Sequence, residues 1–259
     1  MKILQLSLLG GLMIYCALAL FLFIKQRDFI YFPPPAIDHP FQQVTFTNQQ
    51  DNYSINTTVL NKGKTNAILY FGGNGEAVDL NVNDFSRTFP NQTVYLVKYR
   101  GYSGSAGTAT EEGLFSDALT VYDRIKTKYK SVAVIGRSIG SGVACYIASQ
   151  RPVTKLTLIT PFDSAKSVAQ SAYPIFPMAL LLKDKYDSLS RVSAIKARVL
   201  FLIAGHDQMI TREHSNRLIN AFPTSQAHVE IIKNSGHNSI SNKPEYYKLL
   251  NRFAELPLP

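Results

Sequence analysis

A serine flanked by two glycines stands at the point where an apolar run gives way to a run of small residues. The apolar run is SVAVI, and it is followed by GRSIG at 136–140 and SGVA at 141–144. In a G-x-S-x-G motif between a strand and a helix, the serine occupies a sharp turn in which glycine leaves room for it. The dipole of the following helix favours negative charge near the serine hydroxyl. This context predicts Ser138 as a nucleophile, whereas the bare motif would also fit an ordinary Gly-Ser turn.

Serine attacks a carbonyl group efficiently only when a neighbouring base removes its proton. The chain has five histidines. His237 lies in KNSGHNS, a glycine-bearing loop after the last predicted strand, and we therefore predict it as the general base. His39 lies before the sheet, and His206 lies beside an aspartate at a strand end. His214 lies in a helical stretch, and His228 lies at the start of a strand.

The base needs a carboxylate that orients its ring and stabilises the imidazolium. Asp207 follows the apolar run RVLFLIAG and lies between the serine and the histidine in the chain. The order serine, aspartate, histidine recurs in one class of hydrolases and favours Asp207. Asp163 in TPFDS is a rival, because it also follows a predicted strand.

Acyl transfer develops negative charge on the substrate oxygen, and two fixed backbone N–H groups aimed at that oxygen stabilise it. We expect one of them from Ile139, the residue after the nucleophile. The second is expected from the loop GGNGE at 72–76, where Gly73 allows a close approach of the backbone and Asn74 is the predicted donor. The same loop also fits a plain glycine-rich turn.

Short β-rich runs alternate with helix-like stretches along the chain. This alternation predicts an α/β fold with a mostly parallel sheet and helices on both faces. In such a sheet, ligands bind beyond the carboxyl ends of the strands, where the predicted site residues fall. The predicted strands are an opening antiparallel pair, QQVTFTN and YSINTTVLN, followed by AILYFGG, TVYLVKY, SVAVIGR, KLTLITP, RVLFLIAG and HVEIIKN.

The N-terminal segment is apolar and carries no charge over residues 3–24. These 22 residues would span about 33 Å as a helix, against a hydrocarbon core of about 30 Å. We predict a single transmembrane anchor over 1–27. The alternative is a cleaved signal peptide, because ALA at 17–19 is an A-x-A pattern. Positive charge flanks both ends of the segment, so the sequence does not set which side of the membrane the enzyme faces.

The remaining chain divides into a linker, a catalytic domain and a lid. Residues 28–35 (DFIYFPPP) form an aromatic and proline-rich linker, and 36–259 form the predicted catalytic domain. A short lid is predicted over 162–194. It contains SAYPIFPMALLL, which fits an acyl-pocket wall, a membrane contact or a core-facing helix.

These motifs together resemble the α/β-hydrolase-domain (ABHD) serine hydrolases, especially the branch with an N-terminal membrane anchor. YFGGNG at 70–75 is similar to the family's H-G-N loop, and YRGYSG at 99–104, followed by EEG at 111–113, is similar to its Y-R-G-Y-G pattern. The stretch from KDKYDS to GHDQMI resembles the one that carries the family's acid. The resemblance covers nearly the whole globular part and implies an α/β-hydrolase fold. Ser138, Asp207 and His237 match the family's triad motifs in place.

One position departs from the family pattern, and two other residues are predicted to support the active-site loops. Gly72 stands where the family usually has a histidine that supports the oxyanion loop, which bears on the rigidity of that loop. Arg100 and Tyr102 lie just beyond a strand end. We expect them to brace the active-site loops, with a surface arginine as the plainer alternative for Arg100.

Charge and cysteine content exclude several classes of function. The net charge is +9, with only 17% charged residues, and the basic residues are scattered, so we expect no nucleic-acid partner. Two cysteines form neither a disulfide framework nor a metal-binding pattern. We expect no metal and no cofactor, because triad chemistry needs neither.

The sequence therefore predicts a membrane-anchored serine hydrolase that cleaves carboxylic esters or thioesters through an acyl-enzyme on Ser138. The expected partners are a small-molecule or lipid acyl substrate and the membrane. A serine peptidase or amidase on the same scaffold is an alternative, because the same triad cleaves amides. A non-catalytic membrane-bound binding module is a third reading.

Overall fold

The computed structural model describes residues 1–257 of the chain, and one sheet of eight strands lies at its centre. The strands are β1 (Gln42–Thr47), β2 (Ser54–Leu60), β3 (Asn66–Phe71), β4 (Gln92–Val97), β5 (Ser131–Arg137), β6 (Lys155–Ile159), β7 (Arg198–Ala204) and β8 (Ala227–Ile232). Their order across the sheet is β1-β2-β4-β3-β5-β6-β7-β8. β2 pairs antiparallel with β1 and with β4, and all other neighbours are parallel.

Helices cover both faces of this sheet. Along β7, Val199, Phe201 and Ile203 belong to one core cluster, whereas the residues between them belong to the other, as the two-residue period of a strand requires. The helices are α1 (Lys2–Ile30), α2 (Val82–Thr88), α3 (Glu111–Ile125), α4 (Ile139–Gln150), α5 (Ala165–Ala172), α6 (Met178–Leu181), α7 (Arg212–Ala221) and α8 (Pro244–Glu255). The predicted fold class is therefore confirmed.

The strand order changes direction at β3, and this places the site. The chain passes from β3 outward to β4 and then returns to form β5 on the other side of β3. Ligands bind beyond the carboxyl ends of strands at such a switch point. The loop at 72–76 follows β3, and Ser138 follows β5, so the two meet at this edge of the sheet.

Helix α1 is long and apolar, and it projects from the globular part. It has 29 residues and, by length and hydropathy, could cross a membrane. It continues to Ile30, past the predicted limit of the anchor at residue 27, and ends where Tyr31 becomes extended. The segment predicted as a lid, called the lid below, lies between β6 and β7 and contains α5, α6 and a short 3-10 helix at Leu189–Ala194.

Candidate active site

Ser138 lies in the turn between β5 and α4, in a backbone conformation that L-residues rarely adopt. Its φ is 51° and its ψ is −119°. Its N–H donates to the carbonyl of Ile159 at 2.8 Å. Such strain costs about 1–3 kcal/mol and persists where the surrounding structure enforces it. The turn holds the serine side chain at the carboxyl edge of the sheet and at the N-terminus of α4.

Two glycines make this turn sterically feasible. A Cβ atom on Gly136 would lie 2.1 Å from the carbonyl oxygen of Gly140. A Cβ atom on Gly140 would lie 2.2 Å from the carbonyl oxygen of Phe71. Both obstacles are backbone atoms of packed elements, so they cannot move aside as a flexible side chain would. The structure thus gives the steric reason for glycine on each side of the serine.

The imidazole of His237 lies between Ser138 and Asp207. Its Nε2 is 2.9 Å from the Oγ of Ser138, and its Nδ1 is 2.8 Å from the Oδ2 of Asp207. The side chains of His237 and Asp207 are only 7% and 6% exposed, so bulk water is largely excluded from their contact. The structure therefore brings the three residues together in one hydrogen-bonded chain.

The carboxylate of Asp207 is oriented by backbone groups. Its Oδ1 accepts hydrogen bonds from the N–H of Met209 at 3.0 Å and from the N–H of Ile210 at 2.8 Å. Oδ2 is thereby turned towards His237. This geometry suits a proton on Nδ1 that is donated to Asp207, and it leaves Nε2 to accept the proton of the serine hydroxyl.

The rival acid, Asp163, belongs to a different pair. Its Oδ1 is 2.9 Å from the Nδ1 of His214, and its Oδ2 accepts from the Nε of Arg217 at 2.6 Å. Burial by itself would raise the pKa of Asp163, but the hydrogen bonds from Arg217 and His214 outweigh it and lower that pKa. Within residues 1–257, the side chain of Asp163 forms no hydrogen bond with the serine or imidazole described above.

The loop at 72–76, called the glycine loop below, meets the turn that carries Ser138. A Cβ atom on Gly73 would lie 3.8 Å from the Cβ of Ser138, so the loop backbone passes within van der Waals distance of the serine. Asn74 and Ile139 line one cavity together with Ser138. In the described part of the chain, the N–H groups of Asn74 and Ile139 donate to no backbone carbonyl. These are the two donors that the sequence predicts for a substrate oxygen.

Sequence reasoning missed Glu76, which supports the glycine loop. Its carboxylate accepts from the N–H of Gly73 at 2.8 Å, from the hydroxyl of Tyr70 at 2.6 Å and from the amide of Asn81 at 2.7 Å. The guanidinium of Arg137 lies 3.6 Å away. Glu76 therefore ties the loop to β3 and to the turn that carries Ser138. The three-residue spacing between Gly73 and Glu76 is the local signal that could have identified it.

Glu76 also accounts for the glycine at position 72. A Cβ atom on Gly72 would lie 2.8 Å from the Cγ1 of Val78 and 3.2 Å from the carboxyl carbon of Glu76. The carbonyl of Gly72 accepts from the hydroxyl of Tyr99 at 2.8 Å. The space beside Gly72 is therefore occupied, and hydrogen bonds fix the loop without a histidine at this position.

Arg100 and Tyr102 brace different parts of the molecule. The hydroxyl of Tyr102 donates to the carbonyl of Asn74 at 2.6 Å, so it supports the glycine loop. Arg100 is buried and pairs with Asp117 at 2.6 Å and with Asp51 at 2.7 Å. It is therefore not a surface arginine, and it ties α3 to the turn between β1 and β2 rather than lining the cavity.

A cavity of about 290 Å³ opens beside Ser138 and His237. Most of its walls are apolar and come from α1 and the lid. A mainly apolar cavity with a few converging polar groups is the usual form of a small-molecule site. The principal lining residues are Leu22, Gln26, Phe29 and Ile30 from α1 and Phe162, Val168, Met178, Leu181 and Leu182 from the lid.

Polar contacts clamp the C-terminal end of α1 to the lid. Arg27 donates to Asp184 at 2.9 Å, and the hydroxyl of Tyr31 donates to the same carboxylate at 3.1 Å. The side chain of Gln26 accepts from the N–H of Lys183 at 2.6 Å. Burial raises the pKa of Tyr31, and the negative charge of the nearby Asp184 raises it further. The hydroxyl therefore stays protonated and can donate. The helix end is thus a fixed wall of the cavity.

The cysteines take no part in this site. Cys145 is buried in α4, and burial raises the pKa of its thiol to about 12, which makes it a poor nucleophile at neutral pH. Cys16 lies exposed on α1. Within residues 1–257, no group of three or more His, Cys, Asp or Glu side chains could hold a metal ion.

Several proteins of known sequence are similar to this chain, although no protein-family model matches it. An uncharacterized protein of Mycobacterium tuberculosis is 34% identical over 150 residues, or 56% of this chain and 53% of that protein. The match therefore spans about half the length of that relative. An uncharacterized membrane protein of Saccharomyces cerevisiae is 25% identical over 83% of this chain and 79% of that protein. An alpha/beta hydrolase domain-containing protein of Caenorhabditis elegans is 24% identical over 64% of this chain and 50% of that protein.

Solved structures share the fold at low sequence identity. The Pyrococcus furiosus esterase Pf2001 superposes with a TM-score of 0.68 at 15% identity, covering 86% of this chain and 98% of the esterase. The shared architecture, the C. elegans relative and the apolar N-terminal helix agree with the motifs read from the sequence. The chain therefore has the α/β-hydrolase fold, preceded by an N-terminal apolar helix, and it is similar to an alpha/beta hydrolase domain-containing protein.

Proposed function

We propose that this protein is a membrane-anchored serine hydrolase that cleaves carboxylic esters or thioesters of lipid-like or acylated substrates. Ser138 is the nucleophile, His237 the general base and Asp207 the acid that orients it. The observation that carries the proposal is the hydrogen-bonded chain of these residues, with 2.9 Å from Nε2 to Oγ and 2.8 Å from Nδ1 to Oδ2.

The geometry supports acyl transfer in two steps. In the first, the Oγ of Ser138 attacks the substrate carbonyl while the Nε2 of His237 takes its proton, and the tetrahedral intermediate expels the alcohol or thiol, which receives that proton. In the second step, His237 takes a proton from water, whose oxygen attacks the acyl-enzyme; as this second tetrahedral intermediate releases the acid, His237 returns the proton to the Oγ of Ser138. Asp207 stabilises the imidazolium at both stages and stays ionised.

The two predicted backbone donors, Asn74 and Ile139, stabilise the oxyanion of each tetrahedral intermediate. Removing one such donor typically lowers kcat about 10²- to 10³-fold. Glu76 and Tyr102 act as positioning residues, because both hydrogen-bond to the loop that carries the first donor. Gly73 gives the loop its close approach to the serine.

An acyl group is the substrate part that suits the cavity. The walls are mostly aliphatic and aromatic, and the polar lining residues are Gln26, Asn74, Ser138, Tyr173 and His237. Burying a methylene group contributes roughly 0.8 kcal/mol, so a chain of several carbons gains appreciable binding there. Neither lysine nor arginine is among the lining residues to bind an anionic substrate.

The domain organisation of the proposal follows the sequence boundaries. Residues 1–27 form a single-pass anchor, 28–35 a linker and 36–259 the catalytic domain. The length and hydropathy of α1 support the anchor, as does the similarity to a yeast protein described as a membrane protein. The hydrogen bond from Tyr31 to Asp184 supports a linker that packs against the domain.

Labelling with a fluorophosphonate probe tests the nucleophile directly. The wild-type chain in detergent should form a covalent adduct, and Ser138→Ala should not. Ser149→Ala is a matched control, because Ser149 lies on α4, the helix that follows Ser138, and its hydroxyl donates to the carbonyl of Tyr146 and accepts from the amide of Gln150. Labelling that persists in Ser138→Ala, or is lost in Ser149→Ala, would contradict the assignment.

Hydrolysis of p-nitrophenyl esters of increasing chain length tests the substrate class. We expect kcat/KM to rise with chain length until the cavity is filled. Phe29→Ala should shift the preferred chain length, because Phe29 lines the cavity. Cleavage of aminoacyl amides in preference to every acyl ester would refute the ester or thioester assignment.

A further inference from the structure

The lid contains an uncharged stretch with several exposed apolar side chains. Residues 171–182 (SAYPIFPMALLL) contain no charged residue. Within them, Ile175 is 71% exposed and Leu180 is 80% exposed. Contiguous exposed apolar groups mark an interaction surface rather than an ordinary water-facing surface. We call residues 173–181 the lid tip.

The lid tip packs along α1 at a level far from the charged end of that helix. The hydroxyl of Tyr15 donates to the carbonyl of Ile175 at 2.9 Å, and its ring stacks on Phe176 at a centroid distance of 5.1 Å. Lys25 is the first charged residue after the apolar run and follows Tyr15 by ten positions. Ten residues of helix rise about 15 Å, roughly half of a 30 Å hydrocarbon core. A lid tip held at this level of an anchored α1 lies inside the leaflet.

The charged residues that follow the two apolar segments lie at a common level. Lys25 and Arg27 end the apolar run of α1, and Lys183 and Asp184 end that of the lid. Arg27 pairs with Asp184 at 2.9 Å, and the Nζ of Lys183 lies 4.2 Å from the ring centroid of Phe23. Two unrelated stretches of chain therefore change from apolar to charged at one height. A boundary between hydrocarbon and headgroups requires such an arrangement, and basic residues there favour anionic lipid phosphates.

The backbone of the lid tip is largely satisfied from within the protein. The Nε2 of Gln170 donates to the carbonyls of Tyr173 at 3.4 Å and Pro174 at 3.2 Å, and its Oε1 accepts from the N–H of Met178 at 3.1 Å. The carbonyl of Ile175 is held by α1, as described above. Hydrocarbon offers no hydrogen-bond partners, so irregular backbone there must be satisfied internally. One glutamine side chain does this for three groups of a turn that water could have solvated.

From these observations we propose that the lid tip is embedded in the hydrocarbon layer beside α1, and that the catalytic cavity opens laterally onto the lipid acyl chains. The occupant of this surface is the lipid leaflet itself. Because α1 and the lid form the cavity walls, an acyl chain reaches Ser138 between them without crossing water. The proposal rests on the proposed membrane anchoring and adds the route by which the substrate arrives.

Tryptophan fluorescence tests the location of the lid tip without any assay of activity. The chain contains no tryptophan, so Ile175→Trp or Leu180→Trp provides a single reporter. In vesicles of phospholipids brominated along the acyl chain, both reporters should be quenched. Leu12→Trp in α1 serves as the positive control. Leu80→Trp serves as the negative control, because Leu80 is comparably exposed, at 70%, and lies outside α1 and the lid.

The outcomes separate the two proposals. Quenching at positions 12, 175 and 180 but not at 80 supports the embedded lid tip. Quenching at position 12 alone would overturn the embedded lid tip and leave the anchor standing. Quenching at none of these positions would refute both the anchor and the embedded lid tip, whereas the fluorophosphonate experiment would still judge the hydrolase.

A pair of charged variants tests the substrate route. Leu180→Glu should lower hydrolysis of long-chain esters presented in vesicles about tenfold or more, because a carboxylate in hydrocarbon is costly. It should leave hydrolysis of a short soluble ester unchanged, since Leu180 does not line the cavity. Leu80→Glu should leave both activities unchanged. Equal effects of Leu180→Glu and Leu80→Glu on the vesicle substrate would overturn the lateral route.

Discussion

Two aspartate–histidine pairs follow neighbouring strands of the sheet, and their geometry is nearly the same. Asp207 lies 2.8 Å from His237, and Asp163 lies 2.9 Å from His214. Both pairs are buried. The two differ in what completes them: the first pair ends on the hydroxyl of Ser138, whereas the second is neutralised by a guanidinium.

The second pair has the contacts of a structural cluster. Arg217 donates to Asp163 at 2.6 Å and to the hydroxyl of Ser167 in the lid at 2.8 Å. The carbonyl of Asp163 accepts from the N–H of Leu189 at 3.0 Å. These contacts hold α7 against the lid, and neither Asp163 nor His214 lines the cavity. An aspartate–histidine contact is therefore insufficient evidence of catalysis, because the third partner and access to substrate decide its role.

Replacing each histidine with alanine should give the largest difference between the two pairs. His237→Ala should lower kcat on a p-nitrophenyl ester about 10⁶-fold, because loss of the base in a triad costs nearly as much as loss of the whole triad. His214→Ala should leave kcat nearly unchanged, because His214 contacts Asp163 and does not line the cavity. Thermal unfolding of both variants provides the folding control. Comparable losses of kcat in two folded variants would contradict the assignment of the first pair as catalytic and the second as structural.

The aspartates should separate by a smaller factor. Asp207→Asn should lower kcat about 10⁴-fold, because the amide stabilises the wrong imidazole tautomer. Asp163→Asn keeps the side-chain volume and should act on stability rather than on turnover. Steady-state kinetics across pH 6–9 would check this. A larger loss in Asp163→Asn than in Asp207→Asn would make Asp163 the catalytic acid.

Glu76 holds the glycine loop next to the first pair, and its substitution should have an effect of intermediate size on kcat. Glu76→Gln should lower kcat about 10- to 100-fold while changing KM little, since a displaced donor loses alignment mainly with the transition state. Glu76→Asp should recover less than the full rate, because the shorter side chain does not reach Gly73 and Tyr70 together. An unchanged kcat in Glu76→Gln would show that the loop holds its position without this carboxylate.

The smallest expected effect is on the free energy of unfolding at acid pH, to which Asp163 of the second pair contributes. The pKa of Asp163 is lowered in the folded protein, so its ionised form stabilises the fold above the unfolded pKa of about 3.9. That stabilisation is lost as pH falls through the lower, folded value. Asp163→Asn should reduce the free energy of unfolding by about 1–3 kcal/mol at pH 7. Urea unfolding in detergent should show this difference shrinking below about pH 4, and a constant difference would contradict it.

Local sequence patterns predicted much of the fold and part of the candidate site. The eight strands, the turn at Ser138 and the apolar N-terminal helix all follow from short stretches of sequence, because periodicity and glycine placement act over a few residues. The chain order also led to His237 and Asp207, which the structure brings to the serine. The burial of Arg100 could not be predicted, since it depends on Asp51 and Asp117, which other segments supply.

The sequence by itself determined which elements form and which loops carry reactive side chains, because backbone preferences and hydrophobic periodicity are local. Only the tertiary structure decided that α1 is a wall of the cavity, that Asp163 is tied to Arg217 and that Arg100 is buried between Asp51 and Asp117. Those outcomes depend on side chains that meet across long stretches of chain, such as Arg27 and Asp184, 157 positions apart. The packing of elements against one another creates such contacts, and no short-range pattern encodes them.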